Sequence, residues 1–339
     1  MFAQWSGIAL SLWLLAGCAP ADPMQKLSGP AQGSSYNISF WADKPIDNTV
    51  LQQRIDTELQ RIDLLMSNYR ADSVIEQFNQ QHSLEPVEVG AELVTLWQQA
   101  LLVSKQSQGC YDLTVQPLFK LWGFKNDEFH QPTADELTAT LQSIGMNKIQ
   151  PVSKVALAKQ VPNVTFDVSS IAQGWTVRQL ATILEQAGID NYLIEVGGEL
   201  LAKGKKPEQQ PWRVAIEKPL PGEQKLQKVI SVQQNEALAI ISSGTYRHYF
   251  DADGQRYSHV LDARRGAPVK HQTVSTTVII DDATLGDAWS TALLCLGSEQ
   301  GKMIADELGL AVLFIDQRGD ELVEISSAAL AEHPGVRLN

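Results

Sequence analysis

The stretch FDVSSIAQGW, residues 166–175, decides how this chain is read. It closes an apolar run, VTFDV, that reads as a strand, passes two hydroxyls, and runs through Ala-Gln-Gly straight into a helical pattern. A plain strand-to-helix connection needs only a turn residue and a cap. Here an acid, two serines and a bare glycine stand where a helix opens. That composition serves an ordinary N-cap, and it equally suits an anion or metal–phosphate site.

Downstream, Val177, Leu180, Leu184 and Ala187 keep helical register over 172–187, and Gly188 closes the helix. YLIEV then reads as a strand, Gly197-Gly198 as its turn and ELLAKG as the return strand. WRVAIEKP, ALAIISSG and HQTVSTTVIIDD are further β-rich runs, followed by helices over about 284–296 and 300–308 and a strand at 311–316. Upstream, SSYNISFWA alternates as a strand. Residues 47–66 place Leu51, Ile55, Leu59 and Ile62 at helical spacing behind an Asp47 cap. Further helices are expected over 91–107 and, from a Thr133 cap to Gly145, over 133–145. Strands and helices mix without strict alternation. The expected class is therefore α+β, with mixed or antiparallel sheets flanked by helices.

With 339 residues, 44% of them hydrophobic, the chain can bury a large core. The net charge of −12 and the lack of a basic run exclude a nucleic-acid partner. Ile8 to Ala16 is apolar apart from Ser11, too short to span a bilayer and suited to the h-region of a signal peptide. The following Leu-Ala-Gly-Cys resembles a bacterial lipobox, which makes Cys18 the lipidated residue, residues 1–17 the signal peptide, and 18–32 a lipidated Cys with a flexible tether. No Lys or Arg precedes the apolar run. The expected location is extracytoplasmic, facing the periplasm, with Ala19 favouring the outer membrane. Cys295, inside ALLCLG, reads as a core residue; a disulfide with Cys110 is compatible with that compartment but not readable from sequence.

Several segments can carry chemistry. Asp287 and Thr291 lie four apart, so a helix presents both oxygens on one face, as Mg²⁺ requires and as any polar helix face also would. In SSGTYRHYF, Ser242, Ser243 and Gly244 leave N–H groups for a phosphate and Arg247 adds charge. His259, in RYSHVLDARRGAP, is a candidate proton acceptor. The same residues also describe a β-hairpin turning at Asp253-Gly254. Met66 and Tyr69 offer a soft, flat surface for a planar ring, or simply core. Walker A, Rossmann, H-E-x-x-H and C-x-x-C signatures are absent.

In order, MSNY, YDLTVQPLFKLWGF, DVSSIAQGW, YLIEVGGEL, WRVAIEKP, ISSGTYR, YSHVLDARRGAPV and DAWSTAL resemble the ApbE family of FAD:protein FMN transferases. The resemblance runs from about Gly33 to the last strand and implies one catalytic domain, 33–339, of ApbE-like, T-fold-related architecture. It implies Mg²⁺-dependent transfer of FMN from FAD to a Thr or Ser hydroxyl of a partner protein, with release of AMP. Acceptors of that kind include subunits of sodium-pumping NADH:quinone reductase and Rnf-type complexes. By the same resemblance, Ala172 (through its carbonyl), Asp287 and Thr291 hold the metal, and His259 is the base. Met66 and Tyr69 line the flavin, and Asp112, Thr114, Glu195, Ser243 and Tyr246 lie near FAD. Gln173 stands where the family commonly has Lys. Two alternatives share these residues: an FAD pyrophosphatase in which water attacks, and a lipoprotein that only binds flavin.

Overall fold

A computed structural model describes residues 23–220, 222, 225–232 and 234–339. The signal-peptide and Cys18 readings lie outside the described residues. No helix among the described residues is long and apolar enough to cross a membrane.

The centre is one eight-stranded antiparallel sheet whose spatial order is the chain order: Gln25–Ala31, Ser34–Trp41, Asn191–Val196, Glu199–Gly204, Gln234–Gly244, Thr273–Ile280, Ala311–Arg318 and Glu321–Ser326. Antiparallel neighbours need only short links. Here several links have grown into excursions, and these carry the chemistry. The longest, between Trp41 and Asn191, holds six helices: α1 (Asn48–Met66), α2 (Val74–Gln80), α3 (Ala91–Gln106), α4 (Gln116–Leu121), α5 (Ala134–Leu141) and α6 (Ala172–Gln186). The link from Ile280 to Ala311 is α7 (Ala283–Leu308).

Strand alternation decides which face each residue covers. On one face, Tyr36, Ile38, Phe40, Ile194 and Val196 meet Leu51, Ile55 and Leu59 of α1 and Val177, Leu180 and Leu184 of α6. Burying such side chains stabilises by about 1.5–3 kcal/mol each. The other face is covered by a three-stranded sheet, in which Trp212, Val214, Ile216, Ile230 and Val232 pack against Leu238, Ile240 and Leu313.

Sequence and structure differ at three places. The tether reading of 18–32 fails over Gln25–Ala31, which is an edge strand paired in register with Ser34–Trp41; Pro30 is tolerated because an edge strand leaves its outer side unpaired. Secondly, VTFDV joins no sheet. Asn side chains take the place of a neighbouring strand: Asn79 accepts from Phe166 N (2.6 Å) and donates to Phe166 O (2.9 Å), and Asn68 accepts from Val168 N (3.2 Å). Thirdly, the two helices expected over 284–308 are one element broken at Gly297, whose φ of 76° only glycine adopts freely.

Candidate active site

The Gly197-Gly198 turn, the end of strand Gln234–Gly244, the opening of α6 and the first half of α7 meet at one end of the sheet. With the segment from Cys110 to Lys125 they enclose a cavity of about 410 Å³. Asp167, Ser169, Ser170 and Gln173 line it from the opening stretch, Asp287 and Thr291 from α7, Ser242, Ser243 and Gly244 from the strand end, and Arg247, His248 and His259 from the excursion that follows.

Asp287 is buried, and its carboxylate accepts the backbone N–H groups of Gly174 (2.8 Å) and Gln173. It therefore caps α6 from a different helix. One turn on, Thr291 is held by the hydroxyl of Ser243 (3.2 Å), which also bonds Ser290 (2.7 Å). Burial pushes the carboxyls of Asp287, Asp167, Asp112 and Glu199 upward, and for Glu199 the nearby Asp287 charge adds to the effect. Asp287 and, one helical turn on, Thr291 are oxygen donors of the kind a hard divalent cation takes, and such a cation would remove the cost of the buried Asp287 charge. The chemistry of these two donors is compatible with Mg²⁺, which Asp287 and Thr291 would hold.

His259 Nδ1 lies 2.9 Å from the carbonyl oxygen of His248. A carbonyl only accepts, so Nδ1 carries the proton and Nε2 keeps its lone pair. Burial holds the His259 pKa below its ordinary value; the hydrogen bond to the His248 carbonyl opposes this in part, and the nearby charges of His248 and Arg247 add to the lowering. The neutral ring is therefore the resting form at neutral pH.

The structure gathers Tyr69, Asp112, Ser243, His259, Asp287 and Thr291 around the cavity. Tyr69 is 91% exposed and leaves a planar face free at the mouth. Asp112 is tied down by the N–H groups of Thr114 and Met146. Thr114 itself is buried behind it, donating to Asp112 and accepting from Gly145 N–H, so it holds the loop and does not line the cavity. Met66 is part of the core, and Tyr246 also stands off the cavity wall.

Geometry bears on two readings of this stretch, the Ala172 carbonyl as a metal donor and the helix-start N–H groups as a phosphate cradle. The carbonyl of Ala172 is the first acceptor inside α6 and takes the Thr176 hydroxyl at 2.8 Å; the residues of this stretch that reach the cavity are Ser169, Ser170 and Gln173. Nor are these helix-start N–H groups left for a phosphate. Gln173 and Gly174 spend theirs on Asp287, Ala172 on Val168 O and Ser169 on the side chain of Asp167.

Glu195 is displaced by strand parity. Tyr192, Ile194 and Val196 face the helices, so Glu195 points to the opposite side, bonding Asn37 (2.7 Å) and Gly198 N–H (2.7 Å). Across the two-residue turn Glu199 pairs with Val196, and it is Glu199 that enters the cavity. Counting alternation through EVGGEL would have found it. Phe119, Phe124 and Lys125 also line the cavity, from a stretch that gives no sign of its orientation in sequence.

Cys110 and Cys295 form a disulfide in the cavity wall, with Cα atoms 6.0 Å apart and a sequence separation of 185. It ties the Asp112 loop to α7. In the chain-entropy picture a loop of that length is worth about 5 kcal/mol, an upper figure. Reduction should lower the melting temperature by several degrees, read by circular dichroism alongside thiol titration. Complete reduction with an unchanged melting temperature would sink this assignment of stabilising weight.

This antiparallel sheet, with its site built from a glycine turn, a capped helix and a metal-suited helix face, is an ApbE architecture. The ApbE family model matches residues 32–314, and the chain belongs to that family. It is 37% identical over 329 residues to the FAD:protein FMN transferase of Vibrio cholerae serotype O1, covering 96% of this chain and 97% of the relative. With the FAD:protein FMN transferase of Salmonella typhimurium it shares 35% identity over 320 residues, 91% of each chain. Among solved structures, the flavin transferase ApbE from Vibrio cholerae superposes with a TM-score of 0.83 at 35% identity, covering 91% of this chain and 99% of that one. The apo flavinyl transferase ApbE of Pseudomonas stutzeri gives 0.83 at 33% identity, covering 92% and 96%.

Proposed function

We propose that this protein is an FAD:protein FMN transferase that moves FMN from FAD to a Thr or Ser hydroxyl of a partner protein and releases AMP. The observation that carries the reading is the pairing, in one cavity, of a helix face bearing buried Asp287 and half-buried Thr291 with a neutral His259 whose free nitrogen is Nε2. The acceptor oxygen forms a bond to the FMN phosphorus as the bond from that phosphorus to the AMP phosphate oxygen breaks. The hydroxyl proton passes to Nε2 of His259, and AMP leaves with the electron pair of the broken bond. Asp287 and Thr291 would hold Mg²⁺, which would supply charge neutralisation at the diphosphate. Ser243 fixes the Thr291 hydroxyl. Tyr69, exposed at the mouth, gives the flavin ring a stacking face, and Phe119 and Phe124 give the cavity an apolar wall.

Two expectations from the N-terminus support the setting. A lipid on Cys18 would tether the enzyme to a membrane outside the cytoplasm, by its sorting residue the outer membrane. Acceptors such as subunits of sodium-pumping NADH:quinone reductase or Rnf-type complexes would be reached there.

The test is direct. Full-length protein, FAD, Mg²⁺ and a candidate acceptor domain are incubated and the acceptor is weighed. An added FMN-phosphate mass that disappears with EDTA supports transfer. Free FMN and AMP beside an unmodified acceptor would replace this reading with a pyrophosphatase, and bound but uncleaved FAD with a carrier. For His259→Gln, transfer should fall by about 10²–10⁴-fold with FAD affinity kept. With Mg²⁺ saturating, so that Asp287, raised by burial to about 7, stays ionised, the wild-type rate should decline only below the ordinary histidine range near pH ~6.5, because burial depresses the His259 pKa. Full transfer by the variant, or a decline starting above that range, would remove His259 from the role of base.

A further inference from the structure

An anionic diphosphate must be received by a cavity that already holds four carboxyls, Asp112, Asp167, Glu199 and Asp287. The helix N-terminus offers it little, since the N–H groups of Gln173 and Gly174 are taken by Asp287. Two side chains with a lasting positive charge line the cavity. Lys125 stands with Phe119 and Phe124 at the aromatic wall, and Arg247 stands beside the strand end that carries Ser242 and Ser243.

The placement of Arg247 is specific. A Cβ on Gly198 would come within 3.3 Å of its Nη1, and a Cβ on Gly197 would fall 2.0 Å from Nε2 of Gln173. The amide thus lies against Gly197 and the guanidinium against Gly198 of the same turn, where both glycines also have positive φ, 62° and 110°. That turn leads directly into Glu199. Among the described residues Arg247 pairs with Glu217, at 3.7 Å with both side chains roughly half exposed, and its guanidinium also bonds the Tyr246 side chain and lies over that ring, 6.0 Å from its centroid, with the Glu199 charge nearby; these contacts leave donors of the five-donor fork for a ligand.

We propose that Arg247, with the amide of Gln173 beside it on the Gly197-Gly198 turn, is the fixed cation that receives the diphosphate of FAD. In this chain it supplies from the strand-end side the positive charge that the neutral residue at 173 does not. The inference rests on the reading that FAD occupies this cavity. A guanidinium fork suits phosphate because it can bond two oxygens at once.

The experiment measures affinity, not turnover. Full-length protein without acceptor is titrated with FAD, ADP and riboflavin, in EDTA and again with Mg²⁺, following flavin fluorescence or heat. Arg247→Gln should weaken FAD and ADP by about tenfold or more and leave riboflavin, which has no phosphate, within about twofold. Arg247→Lys should lose less. Adding Gln173→Lys to Arg247→Gln should recover most of the FAD affinity, because the new ammonium would stand over the same turn. An unchanged FAD affinity in Arg247→Gln would overturn the proposal, and so would a parallel loss of riboflavin, which marks a role in folding the site. A selective loss that Gln173→Lys does not repair would overturn the shared-position part. If the wild-type protein bound no FAD, it is the transferase reading that would fall, a result distinct from all of these.

Discussion

Asp287→Asn should abolish transfer, with a loss of about 10³-fold or more, and should do so with the fold in place. The carboxylate has two tasks. Its oxygens accept the N–H groups of Gln173 and Gly174, a cap that an amide oxygen can still provide. Its negative charge draws a cation into a site where Thr291 supplies the second oxygen, and an amide cannot replace that charge. The two tasks separate experimentally. Mg²⁺ should raise the melting temperature of the wild-type protein, because a ligand that binds only the native state stabilises it. The same titration should leave Asp287→Asn unmoved. In the metal-free state the variant should be as stable as the parent or more so, since a buried carboxyl raised by desolvation has been replaced by a neutral group. A variant that kept its metal response, or one that transferred FMN at the parental rate, would refute the role given to Asp287. Alanine is the poorer probe, because it also removes the cap, at a cost of about 1 kcal/mol.

Gly174→Ala should be a severely damaging single-methyl change at the seam between α6 and α7. A Cβ there would lie 2.2 Å from the carbonyl oxygen of Ala283 and 2.7 Å from Cβ of Asp287. The first obstacle is backbone, so no rotamer change relieves it. α6 and α7 would have to part at the point where Asp287 caps α6. Overpacking of this kind costs about 1–3 kcal/mol, and a rigid backbone obstacle belongs at or above the top of that range. The separation would also break the Asp287 cap, so transfer and the metal-induced rise in melting temperature should fall together. Gly188→Ala is the control, because an added Cβ there meets nothing within 4 Å, although its φ of 79° makes some loss of stability expected. Chemical denaturation of both variants checks the ranking. Gly174→Ala at parental stability would show that the two helices can slide apart freely, and the tight seam described here would be wrong.

The glycine in the opening stretch is thus explained by packing, and the acid and serines by turn and cavity. Sequence periodicity carried the sheet's strands from 34 to 204, the capped helices at 48–66 and 172–186, and the Asp253-Gly254 hairpin. These are local matters, fixed by side-chain alternation, caps and turn residues acting on neighbours. Spacing also placed Asp287 and Thr291 on one helical face, and ordered motifs pointed to the ApbE family.

The misjudged residues depended on contacts between distant segments. Whether Glu195 or Glu199 reaches the cavity turns on the parity of a strand against its sheet. Whether VTFDV pairs as a strand turns on Asn68 and Asn79, which lie about a hundred residues upstream of the groups they satisfy. The helix-start N–H groups face Asp287 and no phosphate because α7 returns across α6, an event 113 residues later in the chain. Likewise the Cys110–Cys295 bond and the meeting of Arg247 with Gln173 on one turn exist only once the sheet is closed. The amino-acid order by itself determined the elements, the family and the kinds of group present. The tertiary structure alone decided which of those groups share a cavity, because desolvation, hydrogen-bond pairing and close packing act between segments that sequence spacing does not relate.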